Sequence, residues 1–112
     1  MRSAISLVAL LGLAAPACAE TWRVSQGVNG ASGQWNVSIN GGRISGAGTM
    51  QDRGRMVGFK LVGQGKDGGY QIERVDVAPA DKCSYVARTV GPRFSGTAIC
   101  NGAQGPWRVE RK

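Results

Sequence analysis

The residue types that most often carry enzyme chemistry are scarce in this chain. It has 112 residues, of which none is histidine and three are cysteine. The lack of histidine removes Ser–His and Cys–His nucleophile pairs, the usual proton shuttle and the commonest metal ligand. Acidic residues that could in principle form a glycosidase pair or a calcium site are Asp52, Asp67, Glu73, Asp76 and Asp81. They fall mainly in turns or near strand ends and lack the spacing of a calcium loop. We therefore interpret them as solvated turn acids, and expect no enzyme activity, no metal and no cofactor.

Two cysteines, Cys83 and Cys100, are predicted to form a disulfide. A two-residue turn at Gly91-Pro92 would place them directly opposite each other on two antiparallel strands. Glycine followed by proline suits a type II′ turn. Counting outward from that turn, the cysteine pair falls in the non-hydrogen-bonded class, where the side chains are close enough for a disulfide. We therefore expect a disulfide-stapled hairpin, which leaves no thiolate nucleophile and no zinc site.

The first residues of the chain look like a secretory signal peptide. An apolar run ends at the small residues Ala17-Cys18-Ala19, a pattern typical of cleavage before Glu20. The run is too short to span a bilayer. Lipidation at Cys18 is the less favoured alternative. We expect removal of residues 1–19, and a single periplasmic or secreted domain over residues 20–112, in a compartment where a disulfide persists.

The remaining sequence shows short alternating runs separated by Gly, Asn, Asp or Pro, without helical periodicity. This spacing predicts an all-β fold. The expected strands lie at residues 21–26, 34–40, 43–51, 56–63, 69–77, 83–90, 93–100 and 106–111. A second tight turn at Gly41-Gly42 would place Trp35 opposite Gly48. The apolar residues Val75 and Val77 are out of phase with Tyr70 and Ile72, and this change of phase after Ile72 suggests a β-bulge near Glu73-Arg74.

A short pattern recurs along the chain and suggests how the sheet closes. Trp22-Arg23-Val24, Trp35-Asn36-Val37 and Trp107-Arg108-Val109 share Trp-x-Val. Repeated hairpins are typical of a meander, and a meander of short strands can close by placing its first strand beside its last. Closure removes exposed strand edges. We therefore predict an eight-stranded antiparallel up-and-down barrel, closed by the disulfide-stapled hairpin, with Trp22 and Trp107 as neighbours.

Basic residues outnumber acidic ones by 14 to 7, and two basic features are candidate partner-binding sites. The first is a loop with Asp52, Arg53 and Arg55, at a solvent-facing tip of the kind that often carries recognition. The second is the outward pair Arg88 and Arg93. Both have a structural alternative, since Asp-Arg-Gly makes a turn and outward arginines protect a strand surface from aggregation. No specific nucleic-acid binding is expected, because the aromatic residues fall mostly on inner positions.

Three short motifs carry a resemblance to known barrels. Gly33-Gln34-Trp35-Asn36, Ile44-Ser45-Gly46 and Phe94-Ser95-Gly96-Thr97 resemble calycin-type meander barrels, the group of avidins, lipocalins and bacterial metalloprotease inhibitors. The chain is short for an avidin, lacks a match to the segments that line a biotin site, and makes too small a barrel for a roomy lipocalin cavity. The small periplasmic inhibitors are similar in size, export and single disulfide, although their disulfide lies earlier in the chain. The resemblance therefore implies a fold, and no inhibitory residue is carried over.

Together these features predict an exported, non-enzymatic binding protein that recognises a protein or envelope component through loops at one barrel end. Inhibition of a hydrolase is one form that such binding could take. Two alternatives stay open. The barrel could carry a small apolar ligand, with Trp35, Phe59 and Tyr70 as walls, or its basic surface could adhere to acidic polymers, in which case added salt would weaken binding. We expect a monomer without a transmembrane segment.

Overall fold

Strands connected by tight turns account for nearly all of the structure, a computed structural model that describes residues 18–28, 30–75 and 82–112. The strands are β1 Cys18–Gln26, β2 Ser32–Asn40, β3 Arg43–Asp52, β4 Arg55–Lys66, β5 Gly69–Val75, β6 Cys83–Ala87, β7 Arg93–Cys100 and β8 Ala103–Arg111. Each strand pairs antiparallel with the next, and β1 also pairs with β8, which closes the barrel. The predicted eight-stranded all-β meander is confirmed.

The first strand begins upstream of the predicted cleavage point. β1 starts at Cys18, so cleavage before Glu20 would remove its first two residues, which pair with β2. The rest of the predicted signal peptide, residues 1–17, lies outside the described residues. Its removal stays a prediction.

Alternation along the strands separates a packed interior from a polar exterior. In β3, Met50 is fully buried whereas Thr49 is exposed. Gly48 faces inward between two rings: a Cβ there would lie 2.6 Å from Trp35 Cδ1 and 2.8 Å from Phe59 Cε1. Glycine therefore makes room for the aromatic side chains that fill the barrel, as the predicted pairing of Trp35 with Gly48 implied.

A cluster of aromatic rings forms the centre of the core. Trp22 stacks on Tyr70 with ring centroids 5.5 Å apart and meets Phe94 edge-on at 5.4 Å. Its centroid is 6.5 Å from that of Trp107, which confirms that the two tryptophans become neighbours on closure. The Trp35 ring centroid lies 5.7 Å from that of Trp107 and 6.3 Å from that of Trp22. Contacts at these distances and tilts stabilise a core beyond the burial of area.

The disulfide hairpin has the predicted register but not the predicted turn. Cys83 pairs with Cys100, their Cα atoms are 4.2 Å apart, and a disulfide joins them. The expected type II′ turn at Gly91-Pro92 is wrong, because Gly91 does not have the positive φ that this turn requires. β6 already ends at Ala87, and the carbonyl of Pro92 accepts a hydrogen bond from the backbone of β8. Proline thus extends the pairing with β8 and leaves a wider connection to β6.

The expected bulge in β5 is also wrong. Pairing with β4 continues without interruption to Val75, and pairing with β6 runs from Tyr70 to Glu73. The change of phase has another cause, since Arg74 takes the inward position and is only 6% exposed. A buried arginine therefore replaces the apolar residue that the alternation leads one to expect.

Candidate functional site

A groove of about 870 Å³ lies on the outer wall of the barrel, across the strands that meet where it closes. It spans β7, β8, β1 and β2. We call it the seam groove and define it by its charged and hydroxyl side chains, which are Arg23, Ser25, Ser32, Arg93, Ser95, Arg108 and Glu110. All seven are outward residues of regular strands, so their positions follow from the strand register.

The Trp-Arg-Val repeats in β1 and β8 bring the centre of the groove together. In each repeat tryptophan is buried and the following arginine is exposed. Antiparallel pairing of the two strands places Arg23 opposite Glu110 and Ser25 opposite Arg108. Closure of the barrel therefore converts two distant copies of one motif into adjacent parts of one surface.

Strand β7, which pairs with β8 on its other side, adds two more outward side chains to this surface. Arg93 lies opposite Glu110, and Ser95 lies opposite Arg108. One row of outward side chains thus reads arginine, glutamate, arginine across β7, β8 and β1. The row beside it reads serine, arginine, serine. The groove presents three guanidinium groups with hydroxyl groups between them.

Glu110 bridges two of the three arginines. Its Oε1 lies 3.1 Å from Arg23 Nη1, and its Oε2 lies 3.4 Å from Arg93 Nε. These side chains are 41% to 82% exposed, so the ion pairs contribute little to stability. Within the described part of the chain, Arg108 forms no ion pair, and positive charge remains in excess in the groove.

The structure separates the arginines that the sequence had grouped as candidates. Arg93 lies in the seam groove, whereas Arg88 borders a different and smaller pocket with Tyr70. The turn at Arg53 and Gly54 joins β3 to β4, and Arg55 is the first residue of β4. Since odd-numbered strands of an up-and-down barrel run in the same direction, this turn lies at the barrel end opposite to Arg93.

The turn between β3 and β4 has a local structural role for its charged residues. Arg53 and Gly54 both have positive φ, 51° and 81°, as a primed hairpin turn requires. Asp52 is 9% exposed and accepts hydrogen bonds from Arg53 Nε at 3.1 Å and Nη2 at 3.3 Å. Arg55 remains exposed. Partner binding by these residues stays a prediction.

The other acidic residues do not form a cluster in the described structure. Asp67 and Glu73 are exposed, and Asp76 and Asp81 lie outside the described residues. Among residues 18–28, 30–75 and 82–112, no group of three or more His, Cys, Asp or Glu could hold a metal ion. The same residues include no helix long and apolar enough to cross a membrane.

The proposed ligand walls of the barrel interior contact other rings. Trp35 meets Phe59 edge-to-face at 6.0 Å, and Tyr70 stacks on Trp22. Among the pockets of the described residues, the one lined by Tyr70 also includes Gln64 and Arg88, on the outer surface. An apolar ligand in the interior would therefore have to displace packed side chains, and its binding stays a prediction.

A polar cluster that sequence reasoning missed surrounds the inward Arg74. Its Nε donates to Tyr85 Oη at 2.8 Å, its Nη2 donates to Gln26 Oε1 at 3.3 Å, and its guanidinium carbon lies 4.1 Å from the Phe59 ring centroid. Gln26 Nε2 in turn donates to the sulfur of Cys100 at 3.3 Å. The change of phase after Ile72 was the only signal of this arrangement.

A second missed feature is an ion pair that closes the seam from inside. Arg111 donates from Nη2 to Glu20 Oε2 at 2.8 Å, and its Nε and the Trp22 indole both donate to Glu20 Oε1. The hydrogen bonds from Arg111 hold the pKa of Glu20 below its ordinary value, against the opposing effect of burial. The same bond raises the pKa of Arg111. This pair joins β1 to β8 and has no free carboxylate oxygen for other chemistry.

The fold defines a closed eight-stranded antiparallel barrel, compatible with a calycin-like architecture. Comparison of the chain with protein-family models, curated proteins and solved structures gave no match. The seam groove remains the surface feature on which three arginines from adjacent strands meet.

Proposed function

We propose that the protein is an exported, non-enzymatic binding protein that holds an anionic part of a protein or envelope component in the seam groove. The observation that carries this proposal is the set of three arginines on three adjacent strands, Arg23, Arg93 and Arg108. Guanidinium groups recognise carboxylates and phosphates through paired hydrogen bonds. Serine hydroxyl groups between the arginines supply further donors and acceptors.

The scaffold supports recognition at this position. Side chains on strands are held more exactly than side chains on loops, and a disulfide braces the neighbouring hairpin between β6 and β7. The full chain has a formal net charge of +7, and removal of residues 1–19 would take away only Arg2, so the exported form stays basic and attracts anionic partners over a distance. The barrel-end loop around Arg55, which the sequence predicted as a binding site, is the alternative location for a partner.

Two further observations fit an exported binding protein. A structural disulfide is typical of proteins of the periplasm or the cell exterior, where residues 1–19 would direct the chain. The calycin-type resemblance extends to bacterial metalloprotease inhibitors, so inhibition of a hydrolase is one form that binding at the groove would take. The absence of histidine from the chain argues against most hydrolytic mechanisms of its own.

The test compares two variants with the same change in charge. The groove variant carries Arg23→Gln, Arg93→Gln and Arg108→Gln, and the control variant replaces three other exposed arginines, which are Arg43, Arg55 and Arg88. Each tagged protein is cross-linked in envelope extract and in culture medium of the producing organism, and captured proteins are identified by mass spectrometry. A partner of the groove is captured by the wild type and the control variant, and its capture falls by at least about tenfold with the groove variant.

Other outcomes have defined meanings. Capture that persists with the groove variant but is lost with the control variant would overturn the seam groove and favour the barrel-end loops. Capture that is unaffected by raising the salt concentration would contradict an electrostatic site. Turnover of a peptide, ester or glycan that disappears when Asp52 or Glu73 is replaced would overturn the non-enzymatic proposal.

A further inference from the structure

Glu110 gives the seam groove an alternating charge pattern. Across β7, β8 and β1 one row of outward side chains is Arg93, Glu110 and Arg23. Neighbouring strands lie about 4.8 Å apart, so the two arginines stand about 10 Å apart at the backbone with a carboxylate between them. The order of charge along the row is therefore positive, negative, positive.

The central carboxylate is accessible and competes with any incoming anion. Glu110 contacts Arg23 at 3.1 Å and Arg93 at 3.4 Å, and its side chain is 41% exposed. An anion that binds either arginine must share the guanidinium with Glu110 or displace it. A uniformly anionic polymer would bring like charge to within about 5 Å of this carboxylate, which weakens its binding on the order of tenfold at a protein surface.

We infer that the groove selects a protein segment in which two acidic side chains flank a cationic one, over a uniformly anionic polymer. This inference rests on the proposed function. The two acids of such a segment pair with Arg23 and Arg93, and the cation between them pairs with Glu110 once the arginines have new partners. In an extended segment alternate side chains share one face and are about 6.8 Å apart. The long arginine side chains can span the difference from the strand spacing.

Two synthetic peptides of equal length test this inference. One carries Glu-Ser-Lys-Ser-Glu between neutral residues, and the other carries glutamate in place of the lysine. Binding of each labelled peptide is measured by fluorescence anisotropy at low salt. Net charge alone would favour the all-acidic peptide, because the protein is basic. We expect the opposite order of affinity, in which the wild type binds the lysine-centred peptide at least about fivefold more tightly.

A pair of matched variants shows whether Glu110 is the cause. Glu110→Gln should reverse the preference, because it frees both arginines and removes the partner of the peptide lysine. Glu73→Gln makes the same change in net charge on the outward side of β5, away from the groove, and should keep the preference of the wild type. Circular dichroism spectra check that all the variants fold alike.

The outcomes separate this inference from the proposed function. If the wild type prefers the all-acidic peptide, and the groove variant binds neither peptide, the groove binds anions but Glu110 does not select between them. Equal effects of Glu110→Gln and Glu73→Gln would also overturn the inference, because net charge would then explain the change. If the groove variant binds both peptides as tightly as the wild type, the proposed function itself fails.

Discussion

Two ion pairs cross the seam between β1 and β8, and they should differ strongly in what they contribute to stability. The side chains of Glu20 and Arg111 are 16% and 25% exposed, whereas those of Glu110 and Arg23 are 41% and 59% exposed. Replacing Glu20 by alanine removes the acceptor of two hydrogen bonds from Arg111 and leaves the buried Trp22 indole without its partner. Charge-assisted bonds and an orphaned buried donor together correspond to about 2–4 kcal/mol. Glu110→Ala, which breaks the exposed pair, should cost less than about 1 kcal/mol.

The cost of Glu20→Ala should also depend on pH in a defined direction. The folded chain holds the pKa of Glu20 below its ordinary value of 4.5, chiefly because Arg111 donates hydrogen bonds to the carboxylate. The unfolded chain therefore binds the proton more readily than the folded chain. The stabilisation is fully present above pH 4.5 and is lost as the pH falls through the lower pKa of the folded state. The difference between wild type and variant should shrink at pH 3.

Urea unfolding followed by tryptophan fluorescence at pH 7 and pH 3 measures these free energies. Comparison of each variant with the wild type at the same pH cancels the titration of the other acids. Equal losses from Glu20→Ala and Glu110→Ala at pH 7 would refute the argument that burial separates the two pairs. A difference that grows at pH 3 would refute the assigned direction of the pKa shift.

Three further predictions concern the interior of the barrel. Replacing Cys83 and Cys100 by alanine should lower the free energy of unfolding by about 3 kcal/mol, as their sequence separation of 17 implies. A loss below about 1 kcal/mol in urea unfolding would contradict this prediction. Arg74→Met keeps a side chain of similar length and removes a buried charge, so the melting temperature of this variant should stay close to that of the wild type. Arg74→Ala leaves a cavity and should lower the free energy of unfolding by about 2–4 kcal/mol. Equal effects of the two substitutions would contradict this prediction. Gly48→Ala should cost about 1–3 kcal/mol by thermal unfolding, because its Cβ would clash with two rings, while Gly58→Ala, whose Cβ has only one neighbour at 3.9 Å, should not destabilise.

Local signals were sufficient for the strands and for much of their register. The pairing of Trp35 with Gly48 follows from a two-residue turn with two glycines of positive φ, 59° and 86°. The pairing of Cys83 with Cys100 was correct although its turn was not, because the wider connection is centred on the same two residues and each residue of β6 keeps its predicted partner in β7. These are short-range relations, which a single sequence expresses directly.

The features that escaped prediction depend on context beyond one hairpin. A charged residue is expected outside, so the change of phase at Arg74 suggested a bulge rather than an inward guanidinium. The seam groove unites Arg23 with Arg108 and Glu110, which come from opposite ends of the barrel sequence. The repeated Trp-Arg-Val pattern places an outward arginine on both the first and the last strand. To predict that these arginines share one surface, one must also know the register between the two strands, and no local turn specifies that register.

The pairing of β1 with β8 has a consequence for when the protein becomes competent to bind. Contacts between residues so far apart along the chain carry the largest loop-closure entropy, so they are expected to form late in folding. The groove is built on those contacts and cannot exist before β8 has been synthesised and docked. A truncated or incompletely folded chain would expose two unpaired strand edges and present no groove. The groove therefore forms only when folding is complete, and a partner would bind only molecules that have finished folding.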